Sequence, residues 1–327
     1  MSTRRSFLQK LATGAVASSD AFSATGQAKF PTRAVQVWVG FPGGGALDVA
    51  TRVVTMAMAD EGIRPIVVMN KPGASATIAA AQVAHLEPDG YNLLLATSSN
   101  FGIAPYLYPR LPFDAARDFV PVARFALGQN VIYAGQHTQV KTFPELIARI
   151  RSHPGKLNFA SPGRGTTPHL CFELLKSRTR LFPVHVPFNG SPAALTAVAG
   201  GQVEFGVDAI GPAQVFMKWG RITPLAQTGD TRSAALPDTP TLKELGYTGI
   251  PPGTFLGLCA PAGTPRPVLE ELRGALRSAT ANPATIKQLT DSGFDAAYLE
   301  GAAFTKSIED ELNVWEAAVK YSGAAQS

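Results

Sequence analysis

The 327 residues are 45% hydrophobic and 16% charged, enough apolar side chain to bury one large core or two of ordinary size, which excludes an intrinsically disordered chain. The formal charge of +5 shrinks on inspection: residues 1–28 hold Arg4, Arg5 and Lys10 against Asp20, and the remainder carries 26 basic and 23 acidic side chains. That scattered balance, with no Lys/Arg block interleaved with aromatics and no internal repeat or low-complexity tract beyond the N-terminal region, excludes a nucleic-acid footprint.

The chain opens with STRRSFLQKLATGAVASS, where paired Arg4-Arg5 precede Phe7-Leu8 and a mildly apolar run, and GQA at 26–28 supplies small residues for cleavage. Residues 1–28 therefore read as an export signal of the twin-arginine type or as an ordinary Sec signal with two arginines. Both routes place the mature chain in the periplasm. No later stretch approaches the roughly 18–20 apolar residues of a membrane span, so stable membrane insertion is not expected. Cys171 falls in an expected helix and Cys259 in an expected strand far along the chain, which predicts buried free thiols rather than a disulfide.

From residue 34 strands and helices alternate. AVQVWVGF (34–41) has strand periodicity and ALDVATRVVTMAMADEG (46–62) helical periodicity, with Ala46, Ala50, Val53, Val54 and Ala57 on one stripe. PIVVMN (65–70), ATIAAAQVAHLE (76–87) and YNLLLATS (91–98) continue the pattern as strand, helix, strand. Such a βαβαβ order with short loops predicts a parallel sheet covered by helices on both faces. After LPFDAARDFVPVARFA (111–126) the alternation restarts, with strands near 130–134, 157–161, 184–188, 203–209 and 222–228 and helices over 142–152, 168–178, 192–200 and 211–219. One sheet would be crowded by all of these, so two α/β domains with a ligand cleft between them are expected.

Ligands of open α/β sheets bind outside the strand C-termini. Four loops stand there: FPGGG (41–45), TSSN (97–100), SPGRGTTPH (161–169) and DAIG (208–211). The first lacks the Lys-Ser/Thr of a P-loop and the third glycine of a dinucleotide fingerprint, and Asp48 in the next turn would repel a polyphosphate. A small anion, such as one carboxylate with a polar tail, fits two glycine-bounded helix starts better. No cofactor motif is present. His85, His137, His153, His169 and His185 show no ligand spacing with Cys or carboxylates, so no metal is expected. A hydrolase triad of Ser161, His169 and Asp208 is rejected, because Ser161 sits in FASPG rather than in a G-x-S-x-G elbow. His169 reads as a residue that fixes its loop and His185 as a satisfied core histidine. Asp208 either holds a ligand amine or caps the following helix.

These stretches also carry a resemblance. FPGGGALDVATR, NKPGASATIAAAQVA, PDGYNLLLATSS, LPFDAARDFVPVA, PGKLNFASPGRGTTPHL, HVPFNGSPAALTAVAGGQVEFGVD and APAGTPRPVLEELRGAL resemble, in order, the signatures of the Bug family, periplasmic solute receptors associated with tripartite tricarboxylate transporters. The resemblance implies a two-domain α/β periplasmic-binding-protein fold (type II, Venus flytrap). It also implies a dicarboxylate, amino-acid or aromatic-acid ligand, held by backbone N–H groups, hydroxyls and water without an arginine clamp. Expected contacts are Phe41, Gly43, Gly44, Gly45, Asp48, Ser98, Ser99, Ser161, Gly163, Gly165, Thr166, His169, Phe188 and Asp208. The sequence departs from the family at Ser75, Ala76 and Ala79, where glycines are usual, at Phe188-Asn189, where Tyr-Lys is usual, and at Gly43, where proline is usual. The expected organisation is a discontinuous first domain (29–126 and 249–327) around a second (127–248), with crossings near 124–128 and 245–252. A monomer serving the membrane permease subunits of a tripartite transporter is expected; a sensor subunit for a membrane histidine kinase is the alternative.

Overall fold

The computed structural model describes residues 30–325; the export-signal reading of residues 1–28 lies outside them. Chain order is β1 (Val35–Val39), α1 (Ala46–Asp60), β2 (Ile66–Asn70), α2 (Thr77–Val83), β3 (Asn92–Thr97), α3 (Ala104–Leu107), α4 (Ala115–Asp118) and β4 (Phe119–Gly135). There follow α5 (Phe143–Ser152), β5 (Asn158–Ser161), α6 (Thr167–Thr179), β6 (Val184–Pro187), α7 (Ser191–Ala199), β7 (Phe205–Ala209), α8 (Ile210–Lys218) and β8 (Ile222–Gln227). The chain closes with β9 (Gly253–Pro261), α9 (Arg266–Ala281), α10 (Pro283–Asp291), β10 (Phe294–Glu300) and α11 (Gly301–Ser322).

The strands run in the order β2-β1-β3-β9-β4-β7-β5-β6, with β10 and β8 also paired to β4. The expected parallel βαβαβ unit is present, since β1 pairs in parallel with β2 and β3. Beside it the sheet is mixed: β9 is antiparallel to both β3 and β4.

β4 organises the molecule. The sequence pattern placed a strand only near 130–134, but a single strand of 17 residues spans Phe119–Gly135. Its first part pairs with β9 from Phe119↔Pro261 to Gln129↔Gly253, and with β10 on the other side. From Asn130↔Ala209 onward its partners are β7 and β8. Pro121 sits at a register shift against β9, where a residue without an N–H is tolerated.

Helices cover both faces of each half. Around the first part of β4, Val54 and Met58 of α1 pack with Leu272 and Leu276 of α9 on one face, and Ala80 of α2 with Phe304 of α11 on the other. Around the second part, α5 and α6 bury Phe143, Ile147 and Phe172 on one face, and α7 and α8 bury Leu195, Val198 and Ala213 on the other. Each such fully buried large apolar side chain contributes about 1.5–3 kcal/mol. Cys171 and Cys259 are both buried and free, as the sequence indicated.

Candidate functional site

The four strand-end loops meet at one cavity of about 660 Å³. Its wall includes Phe41, Pro42 and Gly45–Leu47 from the first loop, Ser99 from the second, Pro162 and Arg164–Pro168 from the third, and Asp208, Ala209, Gly211 and Pro212 from the fourth. Ser75, Asn130, Ser191, Pro192 and Ser292–Phe294 complete it. The helices α1, α6, α7 and α8 all start on this wall. First-turn amides have no intrahelical acceptor, so each start brings N–H groups and a partial positive charge to an otherwise largely apolar space.

The two halves touch directly at the wall. A Cβ on Gly211, at the start of α8, would stand 2.5 Å from the Ser292 carbonyl oxygen between α10 and β10. A Cβ on Gly293 would stand 2.3 Å from the Gly211 Cα. Only bare backbone permits that approach. On another part of the wall the Arg164 guanidinium donates to the Gly323 carbonyl at 2.9 Å, joining the third loop to the end of α11.

Local electrostatics differ from loop to loop. Asp48 Oδ2 accepts from Gly44 N–H at 2.8 Å and pairs with Arg52 Nε at 2.9 Å, while Oδ1 accepts from Asn70. Burial alone would raise its pKa, but those hydrogen bonds and the arginine outweigh burial and hold it below the ordinary value. In the third loop Gly165 N–H donates to His169 Nδ1 at 3.1 Å. The His169 ring stacks on His185 at 3.9 Å between centroids, and His185 Nε2 meets Ser161 Oγ at 2.7 Å. Burial pushes His169 down to about 3 and His185 to about 4, so both are neutral at pH 7. At the floor, Asp208 Oδ1 accepts from Ser191 Oγ at 2.7 Å and from Ala209 N–H at 2.8 Å. Its pKa is pushed up by burial to about 7.

A family model described as the tripartite tricarboxylate transporter family receptor matches residues 50–323. The chain belongs to that receptor family. Among its curated relatives, a UPF0065 protein of Bordetella pertussis is 32% identical over 310 residues, 94% of either chain. Three solved structures share the α/β periplasmic-binding-protein fold. Rpa4515 of Rhodopseudomonas palustris with adipate is 28% identical over 90% of this chain and 98% of that one, with a TM-score of 0.78. MatC from the same organism, with bound malate, is 33% identical over 89% and 100%, with a TM-score of 0.73. The periplasmic binding protein BugD is 28% identical over 91% and 100%, with a TM-score of 0.74. Membership makes this a non-enzymatic binding protein.

Of the residues that the sequence singled out, the receptor's cavity wall includes Phe41, Gly45, Ser99, Gly165, Thr166 and Asp208. The others lie beside or behind it. Gly43 and Gly44 are exposed beside the cavity, and the Gly44 N–H expected for an anion is already given to Asp48, so neither group of that pair is free for a ligand. Ser98 is buried and donates to Glu311 Oε2 at 2.6 Å, tying its loop to α11. Ser161 is wholly buried, bonded to His185 and to the Gly163 backbone. Its Oγ supports the loop rather than facing the cavity, as does His169. Phe188 packs on the core between α7, α8 and the sheet. In the loop that departs from the family, Ala74, Ser75 and Ala76 take φ of 45°, 55° and 68°. These three residues therefore take a left-handed turn without a glycine among them, and Ser75 sits on the cavity wall.

Wall residues that the sequence reading missed include Arg164, Thr167, Pro168, Ser191, Pro192, Pro212 and Gly293. A usable signal existed for most of them. In TTPH, GSPAA and IGPAQ a proline follows small residues within the first three positions of a helix, where its missing N–H costs nothing. Nothing local marks Gly293, which meets Gly211 from 82 positions away in the chain. Among the described residues no helix is long and apolar enough to cross a membrane, and no group of three His, Cys, Asp or Glu is placed to hold a metal ion.

Proposed function

We propose that this receptor works in the periplasm, captures a small carboxylate in the cavity by closing its two halves over it, and presents the closed form to the membrane subunits of a tripartite transporter. The observation that carries the reading is the convergence of four helix N-termini from both halves on one largely apolar cavity. Such a wall attracts an anion without a dedicated arginine clamp. Relatives of the same fold hold adipate and malate, which agrees in ligand charge and size. A ligand touching α1 on one half and α6 on the other gains its full contacts only when the halves meet, so its binding favours the closed form. The halves are proposed to divide at residues 126/127 and 248/249 and to hinge where β4 changes partners.

The test is a thermal-shift screen against carboxylic acids and their methyl esters, since a ligand that binds only the folded state raises the melting temperature. Acids are expected to stabilise the protein and esters not to. Small-angle scattering should then show a smaller radius of gyration with the best acid bound. Gly211→Val, which wedges the two halves apart, should lower affinity at least tenfold while leaving the circular dichroism unchanged. Equal stabilisation by acid and ester, or an unchanged scattering curve at saturation, overturns the reading.

A further inference from the structure

The cavity is not electrostatically uniform. Its charged wall residues are Arg164, in the loop before α6, and Asp208, at the start of α8. At the α6 end the protein supplies neutral histidines and a guanidinium, so the helix start remains open to an anion. Conditions are opposite at the α7 and α8 end. There Ser191, in the first turn of α7, and Ala209, the residue that caps α8, both donate to Asp208 Oδ1. The receptor's own carboxylate already occupies the place where those two helix starts would hold a ligand's.

The other oxygen of that carboxylate is unused. Asp208 is 0% exposed, and Oδ2 has no hydrogen-bond partner among the described residues. Tyr133, the other buried side chain with an unpartnered oxygen, makes no hydrogen bond to it, although the two groups are close enough for the carboxylate to help hold the phenol protonated. An unpartnered buried acceptor is destabilising, and more so when charged. A ligand that brings a donor to this oxygen relieves that cost, whereas one that brings a second carboxylate meets like charge whenever Asp208 is ionised, that is above about pH 7.

We infer that the ligand of this receptor carries a hydroxyl or ammonium group opposite its carboxylate, and that Asp208 Oδ2 accepts a hydrogen bond from it. The inference rests on the carboxylate reading above and narrows it to hydroxy or amino acids. Donor-free dicarboxylates are then the weaker ligands.

The test is calorimetric titration of the purified receptor with acids matched in skeleton: succinate, malate and aspartate; glutarate, 2-hydroxyglutarate and glutamate; benzoate and 4-hydroxybenzoate. Within at least one set the donor-bearing acid should bind at least tenfold more tightly than its parent. Asp208→Ala should reduce that ratio below threefold, the donor-free dicarboxylates gaining affinity as the like charge is removed. Asp208→Asn, which keeps an acceptor for Ser191 and Ala209, serves if the alanine variant does not fold. Parents that bind as tightly as their donor-bearing partners, or a preference that survives in the variants, overturn the inference. If donor-free acids alone bind, the donor falls and the carboxylate reading stands. If no acid binds at all, both fall.

Discussion

The loops before α1 and α6 are near twins in sequence grammar, each a strand end, a glycine-rich turn and a helix start on the same cavity, yet they handle charge in opposite ways. In both, the third residue of the helix reaches back four positions to a glycine N–H: Asp48 to Gly44 at 2.8 Å, and His169 to Gly165 at 3.1 Å. One acceptor is an anion neutralised by Arg52; the other is an imidazole held neutral by burial. The α1 start therefore spends part of its positive potential on its own side chain, and the α6 start keeps it. A glycine run shows where backbone can be approached, and the residue at the third helical position decides whether an anion is wanted there.

The largest expected effect tests the neutrality of the histidines. Their folded values, about 3 for His169 and about 4 for His185, lie below the ordinary 6.5. Between those limits the unfolded chain binds the protons first, so their stabilising contribution is complete above pH 6.5 and is lost as pH falls toward 3. Asp208 runs the other way: with a folded value near 7 against an ordinary 3.8, it costs stability as pH rises from 4 to 7. Two histidines against one carboxylate leave a net loss on acidification, with an upper bound of about 5 kcal/mol for His169 alone. Urea denaturation at pH 8, 6.5, 5 and 4 should show it, and His169→Asn should flatten the acid limb. An unchanged limb would mean that the loops do not differ in charge.

His169→Asp should come next. It writes the α1 arrangement into α6, and affinity for the best carboxylate should fall about a hundredfold, or about 2.7 kcal/mol, because a negative charge behind the loop, poorly screened by water, now opposes the ligand's. Titration calorimetry reads this directly; unaltered affinity would show that the ligand's carboxylate lies elsewhere.

A smaller effect separates the need for glycine from the need for charge. Ala76→Gly, in the left-handed turn that has lost its usual glycines, should raise stability by about 1 kcal/mol in denaturant titration by relieving backbone strain. Smallest is Asp48→Asn, which keeps an acceptor for Gly44 but frees the α1 dipole. Carboxylate affinity should rise only two- to fivefold, in line with the roughly 0.3–1 kcal/mol of a helix-end charge. A larger gain would make α1 the main anion site.

Much of this architecture was legible because local periodicity reports local structure. The elements from β1 to α2 and from α5 to β8 begin within two residues of where alternation and helical spacing put them, since each buries the stripe that the pattern displays. The first part of β4 was hidden because Pro121 and Arg124 interrupt its apolar run. Strand order was hidden altogether, because β9 reaches its place between β3 and β4 through pairings that run from Gln129↔Gly253 to Leu94↔Cys259, well over a hundred residues apart in the chain. Within the site, the loops were legible and the facing of side chains was not. Ser161 and Ser99 look equivalent on paper, but Ser161 Oγ turns under its loop to His185 while Ser99 lies on the wall. Burial of Asp208 was equally invisible, since it depends on Tyr133 and the helices around it.

The position of β9 also dictates an order of birth. The half of the molecule built on β5–β8 has all its own strands once residue 227 is made, and its stretch of β4 precedes them. The half that comes first in the chain lacks β9 until residue 261 and β10 until Glu300, and one face waits for α11 to end at Ser322. The receptor thus completes its middle before its beginning. Until then the edges of β3 and β4 stand open as templates for mispairing. An early stop within the last 70 residues would leave the strands of the middle complete, but it would uncover Leu170, Cys171 and Leu174 of α6, which pack on Trp315, Ala318 and Val319 of α11, and take the core away from the N-terminal strands.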